Sequence, residues 1–142
     1  MFENVKVKDW MTTEVITCTA KTPISEAHKL MKEYGIRRLP VVDGDTLIGI
    51  ITIGDVREAS PSDATTLSIW ELNYLWAQLT AEKVMTRKVV TVTADSPMSE
   101  VARLMLELKI SGIPVVDASN RVVGVVTESD IFKMIVKTHV AT

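Results

Sequence analysis

Apolar and polar positions along this chain follow one order of elements, and the order is repeated. Val15–Thr19 is rich in β-branched residues, which predicts a strand. After Thr22-Pro23, the apolar residues Ala27, Leu30, Met31 and Tyr34 recur at helical spacing, with Glu26, His28, Lys29, Lys32 and Glu33 mainly on the wet side. Thr22 is expected as the N-cap and Pro23 as the first helical residue, where a missing N–H is harmless. Gly35 is expected as a left-handed C-cap. Arg38–Val42 and Leu47–Thr52 read as strands joined by the turn Asp43-Gly44-Asp45, and a second helix opens at Thr52 and runs to Ala59. The same order returns as strands over Val89–Thr93, Ile113–Val116 and Val122–Val126 and helices over Met98–Leu108 and Glu128–Lys137. Ser96-Pro97 repeats the cap and proline, and Lys109 stands where a left-handed glycine is expected. Each stretch is β-α-β-β-α.

The two stretches align residue by residue. Met11 falls on Met85, Pro23 on Pro97, Glu26 on Glu100, Pro40 on Pro114 and Asp43 on Asp117. One residue is inserted near Asn120, after which Gly49 meets Gly124, Thr52 meets Thr127 and Asp55 meets Asp130. A period this long marks a duplicated domain half, not a solenoid unit. Neither half is large enough for a comfortable core alone. The expected fold is therefore α+β, two β-α-β-β-α motifs packed as a pseudo-twofold pair with sheet faces buried together. Residues 1–59 form the first motif with its lead-in, where Val5, Val7 and Trp10 are available to pack on the body. Residues 60–81 form a linker and 82–142 the second motif. In the linker, Pro61, Ser62 and Asp63 predict a loop. Ser68–Leu79 predicts a helix with Ile69, Leu72, Leu75, Trp76 and Leu79 on one stripe and Trp70 and Tyr74 partly outside it. That is more apolar surface than one face needs, and it serves either core packing or a dimer contact or a lid over a ligand.

Composition narrows the function classes. A chain of 142 residues with 46% apolar content has ample material for a core. A formal net charge of −2 supplies no basic field for nucleic acid. No apolar run is long enough to span a bilayer, and MFENVKVKDW lacks the apolar region of a signal peptide. A single cysteine excludes an internal disulfide and fits a reducing compartment. The expectation is a soluble cytoplasmic protein with no nucleic-acid or membrane partner. Catalytic chemistry finds no support. His28 matches Ala102 in the other copy, His139 lies in the tail, and Cys18 matches Val92 as a small strand residue. No Cys/His spacing suits a metal, no glycine-rich loop suits a phosphate, and no nucleophile has a base. A non-enzymatic protein without metal is expected.

What remains is Thr52-x-x-Asp55 and Thr127-x-x-Asp130, each where a strand ends and a helix begins. This spacing is that of a capping box, in which both side chains satisfy the first turn's N–H groups. It also suits a site at a helix start, where a carboxylate accepts two hydrogen bonds from a ribose diol. Arg37 and Arg38 precede Leu39-Pro40 and read either as a solvated pair or as a phosphate clamp. Their counterparts are Ser111 and Gly112, the largest chemical difference between the copies, which predicts unequal sites.

Met-Thr at the head, Thr-x-x-x-Pro before a helix, Ile-x-x-x-Pro-Val-Val-Asp and Gly-x-x-Thr-x-x-Asp together resemble the cystathionine-β-synthase (CBS) domain. Two in tandem look like a stand-alone Bateman module. The resemblance covers nearly the whole chain. It implies a ligand-sensing regulatory role, with adenosine-containing molecules (AMP, ADP or ATP, with S-adenosylmethionine or NAD as alternatives) held in the clefts between two motifs and no cofactor required. The base would lie against Ile16, Thr17, Ala20, Leu39 and Pro40 in one site and Val90, Thr91, Ala94, Ile113 and Pro114 in the other. Asp55 and Asp130 would hold ribose, with Thr52 and Thr127 toward ribose or phosphate. Arg37 takes the family's phosphate-contacting place, and Ser111 departs from it. The resemblance also implies a homodimer and a regulated partner protein. The rival reading is a ligand-free interaction module that docks a partner enzyme or transporter.

Overall fold

A computed structural model describes residues 2, 4–59 and 68–140, the last two by backbone only. Its framework is two antiparallel hairpins. In one, β1 (Arg38–Asp43) pairs with β2 (Thr46–Thr52), Arg38 opposite Thr52 and Pro40 opposite Ile50. In the other, β3 (Gly112–Val116) pairs with β4 (Val122–Thr127), Gly112 opposite Thr127 and Pro114 opposite Val125. The first turn places Gly44 in the left-handed region at φ 63°. The second, one residue longer, places Asn120 there, and Asp117 Oδ1 accepts from the N–H groups of Ser119 and Arg121. Asn tolerates that conformation because its short polar side chain bonds locally. β1 and β3 are nearly continuous in burial because each is flanked on both edges.

The expected strands Val15–Thr19 and Val89–Thr93 each shrink to a single parallel bridge, Cys18 to Val41 and Val92 to Val115. The reason is local. Thr19 N–H donates to Thr22 Oγ1, and Thr93 N–H to Ser96 Oγ, so the chain turns at once. Those same bonds occupy the hydroxyls expected to cap the helices. Pro23 and Pro97 are the N-caps instead, in extended backbone, ahead of α1 (Ile24–Tyr34) and, further along the chain, Met98–Leu108. α2 (Ile53–Ala59) follows β2 directly. Next along the chain come α3 (Ile69–Gln78), α4 (Ala81–Val84), which the pattern had not suggested, α5 (Met98–Leu108) and α6 (Glu128–Val140). A short 3-10 turn, Val7–Asp9, opens the chain's described structure.

Two compact units emerge, Ile16–Val89 and Met1–Val15 with Val90–Thr142. They are called here the Asp55 unit and the Asp130 unit. Each has its own core. Ile24, Ala27, Met31, Leu39, Val41, Ile51, Val56 and Ala81 fill the first, and Val7, Met98, Val101, Met105, Ile113, Val115, Val126 and Met134 the second. These compact units differ from the sequence motifs bounded at 59 and 82, because the head of each sequence copy joins the other copy's unit. Thr12 exchanges backbone bonds with Val125 (2.8 and 2.9 Å), and Thr86 does so with Ile50 (2.9 and 3.0 Å). The open edges of β4 and β2 present unpaired backbone groups, and these segments satisfy them. Val7, fully buried among Met98, Ile113 and Val126, ties the lead-in down further.

The linker loop at Pro61, Ser62 and Asp63 lies outside the described residues. α3 is capped by Ser68, whose Oγ accepts from Glu71 N–H. Leu72 and Trp76 are half-buried, whereas Ile69 and Leu75, expected in the buried stripe, are exposed along with Trp70 and Tyr74. Trp76 packs on the core beside the ring of His28, 6.1 Å away, so His28 is half-buried where a solvated residue was expected.

α1 ends on Gly35 at φ 63°, as its sequence predicts, and α5 ends on Lys109 at φ 55°. A side chain in that region is strained. Lys109→Gly is expected to raise stability by about 0.5 to 1 kcal/mol, read as a higher urea midpoint with an unchanged slope.

Candidate functional site

Each hairpin delivers the same chemistry to the end of its second strand. In the Asp55 unit, Thr52 closes β2 and Asp55 lies in the first turn of α2. Thr52 N–H donates to Asp55 Oδ2 (2.9 Å), and Asp55 N–H donates to Thr52 Oγ1 (3.2 Å). This is a complete capping box. In the Asp130 unit, Thr127 N–H donates to Asp130 Oδ2 (2.8 Å), and the Thr127 hydroxyl turns to the same oxygen (3.3 Å). Both acids therefore act as caps through Oδ2. Asp130 is 5% exposed and Asp55 half-buried.

The strand that precedes each box is tied to it. Ile53 N–H donates to the Arg37 carbonyl (2.8 Å), and Glu128 N–H to the Ser111 carbonyl (3.1 Å). Arg38 and Gly112 lie opposite Thr52 and Thr127 in the sheet register. Backbone geometry thus gathers Arg37, Arg38, Thr52 and Asp55 in one unit and Ser111, Gly112, Thr127 and Asp130 in the other. Arg37 is exposed, as a group that meets an anion from solvent must be.

The expected base-contacting residues also fall within one unit each, with mixed exposure. Ile16, Thr17 and Ala20, and Val90, Thr91 and Ala94, are half-buried. Leu39, Pro40, Ile113 and Pro114 are buried, and Leu39 and Ile113 are wholly core, so their side chains are committed to packing. The Pro40 and Pro114 carbonyls already accept from Cys18 and Val92, and those of Ala20 and Ala94 from Glu82 and Lys8. Glu128, which the sequence reading did not single out, is tied to this junction by its backbone N–H, while its side chain lines the α5–α6 groove. Its signal was visible in the alignment, where it takes the place of Ile53.

Burial, then the charge of Glu26, pushes the Cys18 thiol up to about 11, so it is protonated and inert near neutrality. Among the described residues no His, Cys, Asp and Glu group could hold a metal, and no helix is long and apolar enough to cross a membrane. A groove of about 320 Å³ lies between α5 and α6, lined by Ala102, Met105, Leu106, Ile110, Ile131 and Phe132, with Glu128 at its polar side. It does not include Asp130.

A sequence profile of the CBS domain matches residues 7–62 and again residues 81–137. The chain belongs to the CBS-domain family. The fold is accordingly the α+β fold of a CBS pair. The CBS domain pair of protein MJ0100, solved in complex with 5′-methylthioadenosine and S-adenosyl-L-methionine, is 36% identical with a TM-score of 0.77, over 94% of this chain and 98% of that one. CBSX2 of Arabidopsis thaliana, solved in complex with AMP, is 26% identical with a TM-score of 0.78, over 94% and 98%. An L-aspartate semialdehyde sulfurtransferase of Methanocaldococcus jannaschii is 37% identical over 90% of this chain but only 23% of its own length. The first curated relatives are matched over less than half their length, between 23% and 47%. The enzymes among these relatives are therefore matched in one part only. The CBS profile starts at residue 7, although residues 7–15 fold with the second CBS motif.

Proposed function

We propose that this CBS pair is a regulatory sensor of adenosine-containing ligands and not itself an enzyme. The observation that carries the reading is the gathering of Arg37, Thr52 and Asp55 at one strand-to-helix junction, with Asp55 capping through Oδ2. A carboxylate oxygen there suits a ribose diol, and the exposed Arg37 guanidinium suits a phosphate. The AMP, 5′-methylthioadenosine and S-adenosylmethionine complexes of similar CBS pairs support it. In this reading the half-buried Ile16, Thr17 and Ala20 flank the base, and Thr52 lies toward ribose. Val90, Thr91, Ala94, Ser111, Thr127 and Asp130 are the matching set. The buried Leu39, Pro40, Ile113 and Pro114 shape each site from beneath. Ligand binding would select one conformation of the module and so regulate a partner protein.

Thermal melting with AMP, ATP, S-adenosylmethionine and NAD tests this. A ligand at a hundredfold excess over Kd stabilises by about 2.7 kcal/mol, a rise of several degrees. Asp55→Ala is expected to abolish the AMP response. No shift with any of these ligands, or an undiminished shift in Asp55→Ala, defeats the assignment.

A second reading, a ligand-free docking module, draws on the exposed Trp70 (81%) and Tyr74 (66%) of α3. Pull-down of a partner that α3 variants lose, with silent ligand screens, would favour it. Homodimerisation and a cytoplasmic location belong to the proposal as well. Leu106 and Phe132, exposed on the α5–α6 groove, support the dimer. Phe132→Glu is expected to convert a sedimenting dimer to monomer, and a monomeric wild type would remove the dimer.

A further inference from the structure

The two CBS motifs present one backbone and two charge patterns. In the Asp55 unit, two cations, Arg37 and Arg38, stand with one acid, Asp55, and the residue bonded to the Arg37 carbonyl is the neutral Ile53. In the Asp130 unit, both arginine positions are empty of charge, as Ser111 and Gly112. The residue bonded to the Ser111 carbonyl is Glu128, which joins Asp130 in the first turn of α6. The substitutions are coupled in space. Positions 111 and 128 are hydrogen-bonded neighbours at 3.1 Å, and 112 pairs with 127 in the sheet. Over the four matched positions one unit thus carries two cations and one acid, and the other carries two acids and no cation.

Resting on the sensor reading above, we infer that the two units sort adenosine ligands by the charge of the 5′ substituent. The Asp55 unit takes phosphorylated adenosine. The Asp130 unit excludes phosphate and takes adenosine with a neutral or cationic 5′ substituent. The physics is like-charge exclusion. A phosphate dianion at the Ser111 position meets the Asp130 carboxylate, with Glu128 adding a further negative charge in the same helical turn, and neither Ser111 nor Gly112 offers a guanidinium. A thioether is indifferent to the same acids, and a sulfonium is attracted to them. Each unit keeps a Thr-x-x-Asp carboxylate for ribose, so the 5′ end is where the two differ in charge.

Isothermal titration with AMP, 5′-methylthioadenosine and S-adenosylmethionine tests this. Asp130→Ala isolates the Asp55 unit, and Asp55→Ala isolates the Asp130 unit. The ratio of AMP affinity to 5′-methylthioadenosine affinity is expected to be at least about tenfold higher in Asp130→Ala than in Asp55→Ala. Arg37→Ser, an exposed change, added to Asp130→Ala is expected to weaken AMP about tenfold with 5′-methylthioadenosine nearly unchanged. Ser111→Arg with Glu128→Ile, added to Asp55→Ala, is expected to install AMP binding, provided circular dichroism shows the native fold. Ratios within about threefold of each other, an Arg37→Ser effect equal on both ligands, or no ligand bound by folded Asp55→Ala overturns the sorting. Wild-type protein that binds none of the three ligands overturns the sensor reading itself, and that result is distinct from bound ligands with equal ratios.

Discussion

Gly124→Val and Gly49→Val are each expected to destabilise the protein by about 3 kcal/mol, at the upper end of overpacking effects. A Cβ built on Gly124 lies 2.7 Å from Met11 Sδ and 3.0 Å from the Thr12 carbonyl oxygen. One on Gly49 meets Met85 Sδ and lies 3.1 Å from the Thr86 carbonyl oxygen. The methionine thioether is flexible and can retreat. The carbonyls cannot, because Thr12 and Thr86 are held by paired backbone bonds to Val125 and Ile50. A valine therefore pushes the exchanged segment off its strand edge and leaves four backbone groups without partners. Alanine gives a milder loss of about 1 to 2 kcal/mol. Gly124→Ala with Met11→Ala recovers part of it, as a coupling of about 1 kcal/mol in a double-mutant cycle. Urea denaturation reads each value. A Gly124→Val protein as stable as wild type, or a cycle without coupling, would show that the Met11 segment does not lie on this glycine.

Asp130→Ala is expected to cost about 2 to 3 kcal/mol, and Asp55→Ala only about 1 kcal/mol. The boxes look alike in sequence but are wired differently. In the Asp55 unit one of the two bonds is donated by the Asp55 backbone to Thr52 Oγ1, and it survives loss of the carboxylate. In the Asp130 unit both bonds end on Asp130 Oδ2, so both are lost together. Asp130 is also buried, which leaves the Thr127 N–H and hydroxyl with little water to replace it. Denaturation midpoints at neutral pH decide the matter, with Asp130→Asn as the milder control. Equal losses in the two alanine variants would mean that wiring and burial do not distinguish the caps.

Much of the fold was legible. Periodicity found α1 because Ala27, Leu30 and Met31 recur at helical spacing, although Tyr34, expected in the same stripe, is 51% exposed and Ile24 is buried in its stead. α5 repeats the pattern with Met98, Val101 and Met105. The hairpins were legible because turn residues and β-branched runs mark them locally. The first strand of each copy was overestimated. A β-branched run reports propensity but not whether a neighbouring strand offers more than one paired residue. The caps were misassigned by one residue because Thr22 and Ser96 hydroxyls have two backbone donors within reach, and the preceding turn takes them. Of the candidate site, residue types and spacing were legible, including the Arg37 and Ser111 difference. The placement of Glu128 beside Ser111 rests on one backbone bond across the junction.

By itself the amino-acid order determined the duplication, the element types, the family and the matched residues that make the two copies chemically unequal, because all of these are local patterns or comparisons of one stretch with another. Only the tertiary structure decided which segments fold together. Met11-Thr12 completes the sheet of the later copy and Met85-Thr86 that of the earlier one. The physical reason is that an open strand edge accepts any extended segment that can reach it. Two near-identical edges and two near-identical heads leave that choice invisible to local sequence, and chain geometry makes it.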